Sequence, residues 1–96
     1  MNKYQVSVSF SVEGSFMSHI PAHRAYINAL ILKGVIDQYA ISAERGQGWI
    51  TMNAKSKKEI IKYLEKSPLF QYFQLEIDEL MVFDGKAMRF PRLVLN

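Results

Sequence analysis

Residues 4–12 have the sequence YQVSVSFSV, in which apolar and polar side chains alternate without a break. A strict period of two, built from β-branched and aromatic residues, predicts a β-strand with one buried face and one polar face. Such a strand requires partner strands and a covering layer elsewhere in the chain. The apolar positions carry Tyr4, Val6, Val8, Phe10 and Val12.

The period of the apolar residues changes to that of a helix after Pro21. Pro21 suits the first position of a helix, because its ring fixes a helical φ and its missing N–H would be unpaired there. The apolar stripe stops before Gly34, a residue type that readily adopts the left-handed conformation at a helix C-terminus. Residues 13–20 contain a glycine and no regular pattern, and we interpret them as a loop.

A second helix is predicted after Ser56. Ser56 and Glu59 have the spacing of a capping box, in which each side chain accepts a hydrogen bond from a free backbone N–H. This helix ends before Ser67-Pro68, because the residue before a proline avoids helical geometry. We interpret the lysines of this segment as a solvated helix face: Lys55, Lys57, Lys58, Lys62 and Lys66.

Two further strand patterns lie between the helices. Residues 35–44 form the second strand, with Tyr39 and Ile41 as its predicted buried side chains. A glycine-containing turn then leads to the third strand over residues 49–54.

The fourth strand alternates from Phe73, and a change of phase near Glu79 indicates a bulge. The order β-α-β-β-α-β, with right-handed crossovers, predicts a ferredoxin-like α+β fold. In this fold, one four-stranded antiparallel sheet carries two helices on one face. We expect a single domain over residues 1–96, with its core in 4–83 and a C-terminal extension in 84–96.

Composition excludes several classes of protein. The chain has 96 residues, a net charge of +3, 49% hydrophobic and 22% charged residues, and no cysteine. It therefore has no disulfide framework and no cysteine-ligated metal, and its mild charge does not by itself indicate a nucleic-acid partner. No apolar run approaches the ~20 residues of a membrane span, and the N-terminus lacks a signal-peptide pattern. We expect a soluble cytoplasmic protein.

The sequence has no cofactor motif and no complete metal site. The segment GQG at 46–48 lacks the preceding strand and following helix of a dinucleotide-binding loop. His19 and His23 have the spacing of a metal-binding pair, but Ile20 precedes a proline, which places His19 outside the helix. Because no third ligand is evident, we expect neither a metal nor a cofactor.

His23 points toward the core from the first turn of the first helix, since Ile27 and Leu30 follow it at helical spacing. Two interpretations stay open. In one, His23 is a core histidine whose ring bonds a backbone carbonyl. In the other, it is a general acid/base at the mouth of a pocket, with a pKa lowered by the positive helix end.

Two helices cover one face of the predicted sheet, and the other face, which we call the open face, is polar. Trp49 is its one large aromatic side chain, and such a side chain on a flat face usually contacts a ligand or another protein surface. The composition of this face is compatible with two environments. The face is either exposed to solvent, or it lines a water-filled cavity that a second subunit closes. Its predicted members are Gln5, Ser7, Ser9, Ser11, Gln38, Ser42, Glu44, Gln47, Trp49, Thr51, Asn53, Gln74, Glu76 and Asp78.

An RNA-binding module is one alternative for the open face. Residues 45–52, RGQGWITM, align with the RNP1 pattern of RNA-recognition motifs, which stack bases on outward aromatics at the third and fifth positions. Gln47 occupies the third position, so only Trp49 remains as a stacking platform. Glu44, Glu76 and Asp78 would repel phosphate nearby, and nucleic acid is therefore not the expected partner.

Two segments resemble known families. The segment PAHRAY at 21–26, followed by Leu30 and by GVI at 34–36, resembles the Pro-Ala-His segment of the YCII-like family. The segment SPLFQYFQLEIDEL at 67–80 is similar to the C-terminal end of muconolactone isomerases, where a Pro-Leu-Phe turn leads into the last strand. Both families belong to the dimeric α+β barrel group, and the resemblance covers roughly residues 4–83.

The resemblance implies a homodimer of ferredoxin-like subunits that pair sheet to sheet. It also implies that His23 corresponds to the active-site histidine of the YCII-like family. The acidic partner of that histidine lies after the second strand in the family, where this chain has Glu44 and no aspartate. The C-terminal extension departs from both families. We expect its residues 93–95, with the sequence LVL, to pack on the partner subunit, and the alternative is that the extension folds onto its own subunit.

We therefore expect a homodimer that binds a small organic ligand, with a cofactor-independent isomerase or lactone-type proton transfer as the chemistry if it is an enzyme. His23 is the predicted acid/base. A non-catalytic regulatory or assembly domain is the second alternative, beside RNA binding. The predicted substrate-binding residues are Arg24 and Arg45 as anion anchors, Trp49 as an apolar wall, and Ser7, Ser9 and Glu44 as polar lining.

Overall fold

The computed structural model describes residues 1–84 of the chain. The expected packing of residues 93–95 on a partner concerns residues outside this range. The chain forms four strands, two α-helices and two short 3-10 helices. In chain order these are β1 (Asn2–Phe10), a 3-10 helix (Phe16–His19), α1 (Ile20–Leu32), β2 (Ile36–Ser42), β3 (Gln47–Ala54), α2 (Lys57–Leu64), a 3-10 helix (Phe70–Tyr72) and β4 (Phe73–Glu79).

The strands form one antiparallel sheet in the order β2-β3-β1-β4. Both helices bury their apolar residues on the same side of the sheet, which confirms the predicted ferredoxin-like α+β fold. The central strands β1 and β3 supply most of the sheet's contribution to the core. The core residues are Tyr4, Val6, Val8, Ile27, Leu30, Ile36, Ile50, Met52, Ala54, Ile60 and Leu64.

Local signals in the sequence set the helix ends. Gly34 follows α1 with a φ of 80°, the left-handed geometry that favours glycine. At the start of α2, Ser56 Oγ accepts a hydrogen bond from the Glu59 N–H at 3.2 Å. The Glu59 carboxylate reaches back to the N–H of Lys55, one residue before the expected Ser56, at 2.7 Å. Both side chains therefore cap the helix as predicted, with a shift of one residue for the carboxylate.

The prediction for β2 is wrong at Ile41. Ile41 is 44% exposed, whereas Tyr39, which was also predicted to be buried, is half-buried. Ile36 is the fully buried side chain of this strand. Ile41 does point to the helix side, where it pairs with the buried Gly48 of β3, but α1 does not extend over this end of β2. The space that α1 leaves uncovered belongs to a cavity, and Ile41 lines one of its walls.

The bulge occurs in a different strand from the one predicted. β4 pairs with β1 without interruption as far as Glu79, and the alternation ends there because the strand ends. The irregularity lies instead in β2, between Ile36 and Gln38. Asn53 of β3 stabilises the start of β2, because its backbone N–H donates a hydrogen bond to the Val35 carbonyl at 2.8 Å.

The junction before α1 also differs from the expectation. Ile20 adopts helical angles, with φ −59° and ψ −46°, although a proline follows it. The preceding 3-10 helix already brings the chain into helical geometry at this point. His19 lies outside α1, at its N-cap position, as predicted. Within residues 1–84, no helix is both long and apolar enough to cross a membrane.

Candidate functional site

His23 is the centre of a buried hydrogen-bonded group on the helix side of the sheet. Only 2% of the residue is exposed. Its Nδ1 atom lies 2.6 Å from Ser67 Oγ, and its Nε2 atom lies 2.6 Å from the Tyr39 hydroxyl oxygen. His23 is therefore buried as predicted, but both ring nitrogens bond side-chain hydroxyls instead of a backbone carbonyl.

Three elements bring this group together. His23 lies in the first turn of α1 on its buried face, and Tyr39 lies in the middle of β2 on the side facing the helices. Ser67 follows α2 in a turn, where its hydroxyl oxygen accepts a hydrogen bond from the Leu69 N–H at 3.0 Å. Phe73 from β4 makes an edge-to-face contact with the imidazole, with ring centroids 5.9 Å apart.

Burial keeps both members of the His23–Tyr39 pair uncharged near neutral pH. Desolvation, the larger cause, and the positive charge of Arg24 together lower the pKa of His23 to about 4. Burial also raises the pKa of Tyr39, an effect that Arg24 partly opposes. A lowered pKa was predicted for His23, but its main cause is desolvation, not the helix end.

A cavity of about 380 Å³ adjoins this pair, and we call it the helix-side cavity. Its walls are almost entirely apolar. Phe10 and Phe16 stack at one side, with ring centroids 5.5 Å apart and an interplanar angle of 13°. The lining residues are Phe10, Val12, Phe16, Met17, Ile20, His23, Arg24, Tyr39, Ile41, Ala43, Leu69 and Phe73.

Arg24 supplies the charge of the helix-side cavity. Its Cζ atom lies 5.7 Å from the centre of the Tyr39 ring, which is the distance of a cation–π contact. Among residues 1–84, the lining has no acidic side chain, and Arg24 is the charged side chain that these residues place there. This environment favours an apolar ligand with a neutral or negative polar end.

The structure places the predicted site residues in three locations. His23 and Arg24 line the helix-side cavity, as the sequence analysis expected of a pocket. Ser7, Ser9 and Trp49 project from the open face, since they alternate with the core residues of their strands. Glu44 and Arg45 lie in the exposed turn between β2 and β3.

Within residues 1–84 of one subunit, the expected single pocket is therefore not formed. Strand periodicity explains the separation, because neighbouring residues of a strand point to opposite faces. The expected open face also changes slightly, since Ser11 lies beyond β1 and Glu44 lies in the turn. Lys3, Asp37 and Ala40 join it instead.

The open face has a neutral centre and an acidic edge. Trp49, which is 37% exposed, lies between Ala40 on β2 and Ser7 on β1. Glu76 faces Ser7 from β4, and Asp78 follows on the same edge strand. Trp49 and these neighbouring carboxylates do not form the stacking platform that RNA binding requires.

The open face also contains an ion pair. Lys3 pairs with Asp37, and Asn53 bridges the two with its amide. The Lys3 ammonium therefore already has an acidic partner, which reduces its availability for phosphate. Among the described residues, no group of three or more His, Asp or Glu side chains is placed to hold a metal ion.

Sequence reasoning missed Tyr39 and Ser67 as site residues. Tyr39 was predicted to be buried in β2, on the same side of the sheet as His23, and this signal could have paired them. Ser67 is 44 residues from His23 in the chain, and its position after α2 gives no local indication of a contact. The chain matches no family model, and no curated protein sequence matches it.

Proposed function

We propose that this protein binds a small, largely apolar organic molecule in the helix-side cavity. The observation that carries this proposal is the buried His23–Tyr39 pair at the wall of an otherwise apolar cavity. Ligand sites typically combine apolar walls with a few oriented polar groups, in volumes of roughly 300–1,000 Å³. The cavity volume of about 380 Å³ suits a molecule with one aromatic ring.

The geometry favours binding over catalysis. An efficient general base has a pKa near the working pH, whereas burial lowers the pKa of His23 to about 4. A neutral imidazole and a neutral phenol are well suited to orient a ligand through hydrogen bonds. Isomerase or lactone-type proton transfer remains a prediction from the resemblance of the sequence to the two families.

We also propose that the protein is a homodimer in which two open faces meet. Trp49 supports this arrangement, because a large ring between the small side chains of Ala40 and Ser7 stands above its neighbours. Such a ring fits a recess on a facing surface, and buried aromatic rings of this kind dominate the binding energy of many interfaces. In this arrangement the helix-side cavity of each subunit stays accessible.

The binding proposal can be tested with α-methylstyrene, an aromatic hydrocarbon of suitable size. NMR titration of the labelled protein should shift the methyl signals of Met17 and Ile41, which line the cavity. An Ala43→Trp substitution should weaken this binding at least tenfold, because the indole would fill the cavity. The matched control is Ala25→Trp, on the exposed side of α1, which should bind the probe as the unsubstituted protein does. Equal affinities for the two variants would contradict the proposal.

A further inference from the structure

We infer that the polar end of the ligand is an oxygen that accepts a hydrogen bond from Tyr39, and that Ser67 is the positioning residue that directs this bond. The inference rests on the proposed function, since it concerns the ligand of the same helix-side cavity. It follows from which atom donates and which atom accepts in each hydrogen bond of the series that links Leu69, Ser67, His23 and Tyr39.

The direction is set at Ser67, which is 5% exposed. The Leu69 N–H can only donate, so Ser67 Oγ accepts that bond at 3.0 Å. The hydroxyl proton of Ser67 then needs an acceptor of its own. Among the described residues, the atom in reach is His23 Nδ1 at 2.6 Å. Ser67 therefore donates to Nδ1, and this nitrogen carries no proton.

The tautomer of His23 follows from this bond. A neutral imidazole has one N–H, which must then be on Nε2. Nε2 donates to the Tyr39 hydroxyl oxygen at 2.6 Å. The reverse arrangement, with the proton on Nδ1, would leave the buried Ser67 hydroxyl proton without an acceptor among residues 1–84.

The phenolic proton of Tyr39 stands at the end of this series of hydrogen bonds. Tyr39 accepts from His23, and no side chain or carbonyl of the described residues accepts the proton of its hydroxyl. Tyr39 also lines the helix-side cavity, so a bound molecule can supply the missing acceptor. The site is thus arranged to donate one hydrogen bond to a ligand.

This arrangement defines the class of ligand. A carbonyl, ester, lactone or carboxylate oxygen accepts the bond, and the apolar walls contact the rest of the molecule. The Arg24 guanidinium beside Tyr39 adds attraction for an oxygen with negative charge. An ammonium group is disfavoured, because it would meet the proton of Tyr39 and the charge of Arg24.

Two probes of nearly equal shape isolate this hydrogen bond. Acetophenone has a carbonyl group where α-methylstyrene has a C=CH₂ group, so only acetophenone can accept from Tyr39. We expect the ratio of their affinities, acetophenone over α-methylstyrene, to fall about fivefold in the Tyr39→Phe variant. Binding of both probes with an unchanged ratio would overturn this inference and leave the proposed function intact. Failure of both probes to bind the unsubstituted protein would overturn the proposed function itself.

The role of Ser67 has an independent readout in the tautomer of His23. Long-range ¹H–¹⁵N NMR spectra of the unsubstituted protein should show the proton on Nε2. In Ser67→Ala, Nδ1 loses the donor that keeps it unprotonated, so we expect the Nδ1-protonated tautomer to appear beside the Nε2-protonated one and the affinity ratio to fall, though by less than in Tyr39→Phe. A proton on Nδ1 in the unsubstituted protein would overturn the inference, as would an unchanged tautomer in Ser67→Ala.

Discussion

At the scale of single residues, two hydroxyl groups hold His23 in surroundings that are otherwise apolar. A buried polar group without a partner costs about 1–3 kcal/mol, but both ring nitrogens of His23 are bonded. The cost that remains is that of charging the ring, because protonation would place a cation in a desolvated site next to Arg24. His23 thus links the stability of the fold to pH.

Acid should weaken the fold through His23. Its pKa is about 4 in the folded protein, compared with 6.5 in an exposed histidine, so the unfolded chain binds more protons between these pH values. The contribution of neutral His23 to the free energy of unfolding is fully present above pH 6.5 and is lost as the pH falls toward 4. We expect the free energy of unfolding to drop by roughly 2 kcal/mol from this source between pH 7 and pH 4.5.

Urea unfolding at the two pH values measures this effect. A His23→Gln variant should have a pH dependence smaller by that amount, whereas His19→Gln, which removes the other histidine, should retain it. Equal pH dependence in the two variants would contradict the assignment to His23.

Part of this site could be predicted from the sequence. The helical spacing of His23, Ile27 and Leu30 placed the imidazole inside, and the strand pattern placed Tyr39 on the same side of the sheet. The contact with Ser67 could not be predicted, because it depends on how the turn after α2 meets α1. Alternation within β1 and β3 already places Ser7 and Trp49 on the other face, which argues against one shared pocket in a single subunit.

At the scale of elements, the turn between β2 and β3 is closely packed against β1. Gly46 has a φ of 62°, and its carbonyl accepts a hydrogen bond from the Phe10 N–H at 3.0 Å. A Cβ atom at Gly46 would lie 2.8 Å from the Phe10 carbonyl oxygen. Phe10 also lines the helix-side cavity, so this turn supports one of its walls.

Gly46 and Gly34 form a matched pair for testing this packing. Both have a positive φ, but a Cβ atom at Gly34 would meet nothing within 4 Å. Gly34→Ala should cost about 1 kcal/mol of stability, from backbone strain alone. Gly46→Ala should cost about 1–2 kcal/mol more, because it adds a backbone clash. Chemical denaturation of the two variants measures the difference, and equal losses would show that the Phe10 contact is unimportant.

Elements with strong local signals agreed with the sequence analysis, and those that depend on distant contacts did not. The alternation of β1, the glycine after α1 and the cap at Ser56 are encoded within a few residues. The exposure of Ile41 depends on where α1 begins relative to the end of β2, which no short segment encodes. The irregularity of β2 depends on bonds from Asn53 on the neighbouring strand.

At the scale of the whole molecule, the two faces of the sheet have different roles in our account. The helix side contains the core and the cavity, whereas no helix among residues 1–84 packs on the open face. Its neutral centre around Trp49 can pack against a copy of itself, while the acidic edge at Glu76 and Asp78 limits how closely two copies align along β4.

The proposed dimer can be tested by light scattering coupled to size-exclusion chromatography. We expect a species with twice the mass of the chain. A Trp49→Lys variant should dissociate it, because a charge in the middle of the interface would lose its hydration. Leu32→Lys is the control, since Leu32 is 88% exposed on α1 and lies outside the open face. A dimer that survives Trp49→Lys, or a monomeric unsubstituted protein, would contradict the proposed arrangement.

The most direct test of the account is the position of a bound probe. Isotope-filtered NOE spectra of the labelled protein with unlabelled acetophenone report which side chains lie next to the ligand. We predict contacts from the probe to the methyl groups of Met17 and Ile41 and to the ring of Tyr39, all of which line the helix-side cavity. Contacts to the Trp49 indole, with none to these residues, would place the ligand on the open face and contradict our central claim.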